Sequence, residues 1–149
     1  MTHTLRIHTL SIFLVAMAGP VSAELGGNGA SVRTDQSKLQ ATLSSSDAGP
    51  YTLHTLQTAT GTQVREYVSR AGTVFAVAWD GPQMPDLQQL LGSYFERYTT
   101  LAQQRAGRGP LTIAEADFVA QSGGHMRSFS GRAYLPDQVP ADVAIATIQ

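Results

Sequence analysis

Residues 51–81 read YTLHTLQTATGTQVREYVSRAGTVFAVAWDG, and this stretch decides the fold. It holds three β-rich runs, 51–58, 62–69 and 73–79, in which side chains alternate with a period of two between glycine turns. The turns fall at Thr60-Gly61 and Ala71-Gly72, and a Gly-Thr pair recurs at Gly61-Thr62 and Gly72-Thr73. Runs joined so shortly must be antiparallel, so the stretch is a β-meander. Two-residue loops at both turns put Val64 and Val68 on one face with Leu53, Phe75, Val77 and Trp79, and that face is core. The same register sets Glu66 in the middle of it, opposite Thr55 and Val77. A one-residue slip at the first turn pairs Glu66 with His54 instead.

After Gly81-Pro82 the period becomes helical. Leu87, Leu90, Leu91, Tyr94, Phe95, Tyr98 and Leu101 fall within an arc of about 140°, with Gln89, Ser93, Glu96 and Thr100 opposite. Asp86 with Gln89 three residues on spells a capping box, so the helix starts at Asp86 or Leu87. Gly107 and Gly109-Pro110 stop it. A second hairpin follows, 116–122 and 126–135, around Gly123-Gly124, and a two-residue turn there places Phe118 opposite Phe129. Residues 143–148 form a final edge strand or a docked tail. The fold class is α+β: an antiparallel sheet of about five strands, a three-stranded meander plus a C-terminal hairpin, packed on one long amphipathic helix.

Upstream of the meander, residues 24–50 read as a flexible lead-in. Glycines 26, 27 and 29 open it, residues 34–41 spell a short helix capped by Thr34, and Ser44-Ser45-Ser46-Asp47-Ala48-Gly49-Pro50 is turn chemistry. Residues 1–23 have the three parts of a cleavable signal peptide: Arg6 in the n-region, an apolar run over 10–18, and Val21-Ser22-Ala23 before a cut at Glu24. The expected location is periplasmic or secreted, where nucleotide cofactors are absent. The chain has 149 residues, and removing 23 leaves 126, enough for a single α+β domain over 51–149 after the lead-in. Loss of Arg6 leaves 9 basic against 11 acidic side chains, which disfavours nucleic acid and anionic membranes as partners. Zero cysteines exclude disulfides, a thiol nucleophile and thiolate metal sites.

No serine stands at nucleophile-elbow spacing, His-Glu-x-x-His is absent, and the glycine fingerprints for phosphate fail. Three sets of candidates remain. Glu66, if it points inward, is desolvated and becomes an acid or base with His54 or Tyr67 near; if the register slips, it is an ordinary solvated carboxylate. His54 and His125 with the adjacent Met126 suit copper or zinc if they converge; otherwise His125 simply follows a turn. Arg65, Tyr67, Arg70, Arg127, Arg132 and Tyr134 put arginine and tyrosine on strands, the residue types enriched in binding hot spots. Ala76 and Ala78, on the face of Arg65 and Tyr67, leave a shallow surface on which another chain could lie.

Several phrases also resemble a known family: Leu25-Gly26-Gly27, Arg65-Glu66-Tyr67-Val68-Ser69, Val74-Phe75-Ala76-Val77-Ala78-Trp79, Tyr94-Phe95, Gly123-Gly124-His125-Met126 and Gly131-Arg132-Ala133-Tyr134. Nearly all of the mature chain is similar to domain of unknown function family 2844, small exported proteins of proteobacteria. The resemblance implies a stand-alone exported domain and carries no activity, ligand or catalytic residue. The leading reading is therefore a non-enzymatic interaction module that engages another exported or envelope protein through a sheet face or edge, with no cofactor. The alternatives are a small metal-binding protein and a hydrolase or lyase using Glu66 with a histidine.

Overall fold

Loops of three residues, not two, set the register of the first sheet strands. The bond from Thr58 N–H to the Thr62 carbonyl, 2.9 Å, closes residues 59–61 into a loop whose Gly61 takes φ +92°. The bond from Ser69 N–H to the Thr73 carbonyl, 2.9 Å, does the same around Gly72 at φ +84°. A third loop residue in the left-handed region is what such hairpins require, and glycine supplies it without a steric penalty. The odd count shifts the first pairing by one, so Glu66 lies opposite His54 and Arg65 opposite Thr55. At the second turn a bulge between Tyr67 and Val68 cancels the shift, and Glu66 keeps Val77 as its partner. Leu53 and Phe75, expected on the face of Val64, are both thrown to the opposite face, and Leu56 takes the core position.

In this computed structural model, residues 24–149 are described apart from Ala106 and Arg108, and the signal peptide expected over 1–23 lies outside the described residues. Helix α1 (Val32–Leu39) precedes strands β1 (Thr42–Asp47), β2 (Tyr51–Gln57), β3 (Gln63–Ser69) and β4 (Val74–Gly81). Helices α2 (Leu87–Leu91) and α3 (Phe95–Gln104) cross one face and lead to β5 (Leu111–Ala114), β6 (Val119–His125) and β7 (Ser128–Tyr134). The sheet is antiparallel and runs β1-β2-β3-β4-β7-β6-β5, seven strands where about five were expected. The two additions are its edges. β1 uses the serines read as a turn, which an edge strand tolerates because its outer groups meet water, and β5 is the short alternation Leu111-Thr112-Ile113.

The long helix forms in two pieces. Asp86 caps α2 by accepting from the Gln89 N–H at 3.1 Å, as the sequence predicts. Gly92 then takes φ +52° and breaks the run, because a Cβ there would sit 2.0 Å from the Glu24 carboxylate of the incoming chain. That chain is built into the fold. Leu25 is buried and its N–H bonds to the Leu90 carbonyl at 3.0 Å, while Gly26 and Gly27 bracket Val74 through bonds of 2.8 and 3.0 Å. The expected lead-in is thus held between the sheet and α2.

The second hairpin also differs from expectation. It turns at Met126 and Arg127, with Arg127 at φ +68°, so Gly124 lies inside the strand opposite Phe129. A Cβ on Gly124 would come within 2.1 Å of the Ser128 carbonyl, so the glycine serves close backbone approach rather than the turn. Phe118 falls before the strand and stacks on Tyr94 at 5.2 Å, so the Phe118–Phe129 pair does not form.

Two apolar layers result. Leu56, Val64, Val77, Trp79, Ala133 and Ile113 pack under α2 and α3, with Leu90 and Leu91 above them. On the other face Tyr67, Phe75, Ala76, Ala78 and Tyr134 lie beneath Val143 and Ile148 of the C-terminal segment.

Candidate functional site

Glu66 points into the helix-covered layer and is fully buried, although it has the slipped register, opposite His54, that was expected to send it to solvent: alternation along β3 keeps it on the face of Val64 and Val68 whatever stands across the strand. Its nearest charged neighbour is Asp35, also fully buried, on the inner face of α1. Burial and the adjacent Asp35 carboxyl push Glu66 up to about 9. Burial raises Asp35 as well, against the Gln89 amide, which donates to its Oδ1 at 2.7 Å, and against nearby Lys38. Both Glu66 oxygens and Asp35 Oδ2 are buried without a well-formed hydrogen bond. The pair therefore retains a proton at neutral pH, since two carboxylates this close cannot both ionise without great cost. His54 stands across the strand, its Nδ1 2.7 Å from Ser45 Oγ, and burial lowers its pKa so that it stays neutral. Neither Glu66 nor Asp35 has any exposed surface, and neither lines the cleft beside the C-terminal segment. A carboxyl that cannot meet a substrate holds a proton but has nothing to deliver it to.

The metal candidates stay apart. His54 is on β2 and His125 on β6, four places away in the sheet, about 19 Å at the usual strand spacing. His125 and Met126 are exposed at the hairpin tip with Arg127. Among the described residues no three side chains of the metal-binding acidic, histidine or thiol types gather.

The surface expected to receive another chain already carries one. Residues 136–149 return across the face of Ala76 and Ala78, and side chains of the sheet hold their main-chain oxygens. Tyr67 Oη lies 3.2 Å from the Thr147 carbonyl and 3.1 Å from Gln149 O, sharing its single proton between them, and Arg65 Nε donates to Gln149 O at 2.5 Å. Arg132 Nη1 donates to the carbonyls of Ile145 and Ile148 at 3.1 and 2.8 Å, and the Arg132 guanidinium lies 6.0 Å from the Tyr134 ring. Four of the six arginines and tyrosines singled out for binding thus meet this segment: Tyr67 and Tyr134 are buried, and Arg65 and Arg132 half-buried. Arg127 takes no part, and Arg70 instead pairs with Asp47 at 2.8 Å, beside β1.

Beyond the segment's end the same face stays open. A cleft of about 620 Å³ lies between Ile148 and Gln149 on one side and Pro110, Leu111 and Thr112 on the other. Gly123, Gly124 and Gly131 form part of its wall. Arg65, Asp80, Gln121, Ser130 and Arg132 supply the polar groups. Arg65 is spoken for: its Nη2 meets Asp80 Oδ1 at 2.5 Å and its Nη1 meets Gln63 Oε1 at 2.9 Å. Arg132 is held by Gln121 Oε1 at 2.8 Å and by the two tail carbonyls, all neutral acceptors.

Sequence reasoning found Glu66, Arg65, Tyr67 and Arg132 but missed Asp35, Asp80 and Gln121. Asp35 had a signal: Val32, Asp35 and Leu39 share one stripe of a helix, which puts the acid on the packed side. Asp80 and Gln121 had none, because the tail that walls the cleft is irregular chain.

No curated protein and no solved structure is detectably similar to the chain. A family model described as protein of unknown function (DUF2844) matches residues 21–148. That span takes in the carboxyl pair and, Gln149 apart, the tail and the cleft, and the chain belongs to this family.

Proposed function

We propose that the protein is a non-enzymatic interaction module acting outside the cytoplasm, periplasmic or secreted, and that its partner, another exported or envelope protein, engages the cleft beside the C-terminal segment. The observation that carries this reading is the cleft: about 620 Å³, its wall combining apolar surface with the anchored polar side chains of Arg65, Gln121 and Arg132, the make-up of a recognition site. The adjoining face supports it, because Arg65, Tyr67 and Arg132 already hold a stretch of polypeptide by its carbonyls. Against catalysis stands the placement of the acid–base groups, which are enclosed under α1. Export is supported by the leader pattern over residues 1–23. No described helix is long and apolar enough to cross a membrane.

Native mass spectrometry of the processed protein, purified from its own extracytoplasmic fraction, tests the reading. The wild type should carry a stoichiometric protein partner, and a cleft-filling Thr112→Trp variant of unchanged stability should lose it. A bare monomer, or a partner kept by the variant, overturns the proposal.

A further inference from the structure

Helix α1 is held to the sheet more thinly than α2 and α3. It meets the apolar core through Val32 and Leu39, and the side chain between them on that stripe is Asp35, fully buried. Against Asp35 lies Glu66, and three of the four carboxyl oxygens of the two residues have no well-formed hydrogen bond. The fourth, Asp35 Oδ1, accepts from the Gln89 amide at 2.7 Å. The chain on either side of α1 is fixed independently of it. Before it, Gly29 N–H bonds to the Gly72 carbonyl at 2.8 Å and Asn28 pairs with Thr73. After it, Gln40 bends the chain at φ +49°, Ala41 is buried, and Thr42 opens β1 opposite Gln57. The helix is thus a short span between two fixed points, with a carboxyl at the centre of its contact.

One proton on the pair lets one carboxyl face the other without two like charges. With both ionised, two negative charges meet where water is excluded. The surroundings do little to offset them. Val77 on β4 and His54 on β2 stand opposite Glu66, burial keeps His54 neutral, and Ser45 on β1 lies against His54. From α2 comes the neutral Gln89 amide, and at Asp35 the charge of Lys38 on α1 is opposed by that of Glu24 in the incoming chain. Turning α1 outward hydrates both carboxylates and leaves the seven strands paired.

We infer that α1 is a proton-held flap: it stays closed while the Asp35–Glu66 pair keeps its proton, and it lifts between its two fixed ends when the pair loses it. The flap lies on the sheet face away from the cleft and does not rest on the proposed function.

Amide hydrogen exchange of the processed full chain from pH 5 to 9, each rate divided by that of unstructured chain at the same pH, reads the flap. Lifting lets Glu66 fall from about 9 to its ordinary 4.5, so opening releases one proton between these values. Protection at residues 36–41, whose N–H groups bond within α1 and its C-terminal turn, should therefore fall about tenfold per pH unit. The amides of β3 and β4 should stay about tenfold better protected or more throughout. Glu66→Gln removes the titration at similar volume, and its α1 protection should not vary with pH. Carbon-13 shifts of the two carboxyls in the wild type need no variant, and at pH 7 one of them should be that of the neutral acid. The inference is overturned if α1 protection in the wild type is independent of pH, or if its slope survives Glu66→Gln. It is equally overturned if α1 and the sheet share one protection at every pH, or if both carboxyls are ionised at pH 7.

Discussion

The two faces of the sheet are covered by opposite means. On one, α2 and α3 lay Leu90 and Leu91 over Val64, Val77 and Trp79, side chain against side chain. On the other, a segment with only two short 3-10 turns is held by Arg65, Tyr67 and Arg132 through its main-chain oxygens, with Val143 and Ile148 as apolar anchors. The contrast is one of cooperativity. A helix that satisfies its own backbone can be nearly all apolar where it packs, whereas an irregular segment needs side chains of the sheet to satisfy its carbonyls. The helix side therefore holds the fold, and the tail side holds the surface proposed for recognition.

The largest test of that division is Trp79→Ala, which empties the helix-covered layer and should cost about 3–5 kcal/mol of global stability by denaturant unfolding. Ile148→Ala removes a fully buried anchor from the other face. It should cost about 2–3 kcal/mol, but as local release: hydrogen exchange should quicken at residues 143–149 while the amides of β3 and β4 keep their protection. Equal quickening across the sheet would erase the distinction.

Glu66→Gln sharpens the comparison from within the helix side, where two buried carboxyls meet. Folded Glu66 keeps its proton up to about pH 9, whereas the unfolded chain releases it near its ordinary 4.5. The folded state thus binds more protons between these values, its stability is full below about 4.5 and declines as pH rises toward 9, and the glutamine variant should lose that slope. Its amide can donate to Asp35, so at pH 8 the variant should be more stable by about 1–3 kcal/mol. Thermal unfolding of both proteins from pH 4 to 9 reads the difference, and parallel curves would remove the carboxyl pair from the account. Smallest of the four, Tyr67→Phe deletes the hydroxyl that holds Thr147 and Gln149 and should cost about 1 kcal/mol, confined to the tail.

The helix-covered face was the more legible of the two, since period and burial coincide there: the apolar stripe from Leu87 to Leu101 and the alternation through Val64, Val77 and Trp79 both predict it. What failed did so at loops. Thr60-Gly61 reads equally as a two-residue turn or as the end of a three-residue one, and that single residue decides whether Glu66 faces Thr55 or His54. The Phe75 bulge leaves no mark in the pattern, because alternation on either side of it looks continuous. On the tail side Arg65, Tyr67 and Arg132 were legible as a group. What covers them was not, because residues 136–149 follow neither period and their placement depends on bonds to partners about 15 to 80 positions away.

The serines of β1 bear on how this protein behaves in company. β1 borders the sheet with Ser44, Ser45, Ser46 and Asp47 exposed, and the opposite border, β5, is only four residues long. A sheet with two open borders is a template on which further copies could stack, and a hydrated, acid-tipped rim at one border with a truncated rim at the other gives an incoming strand little to hold. Crowding alone should therefore not drive the protein into fibres.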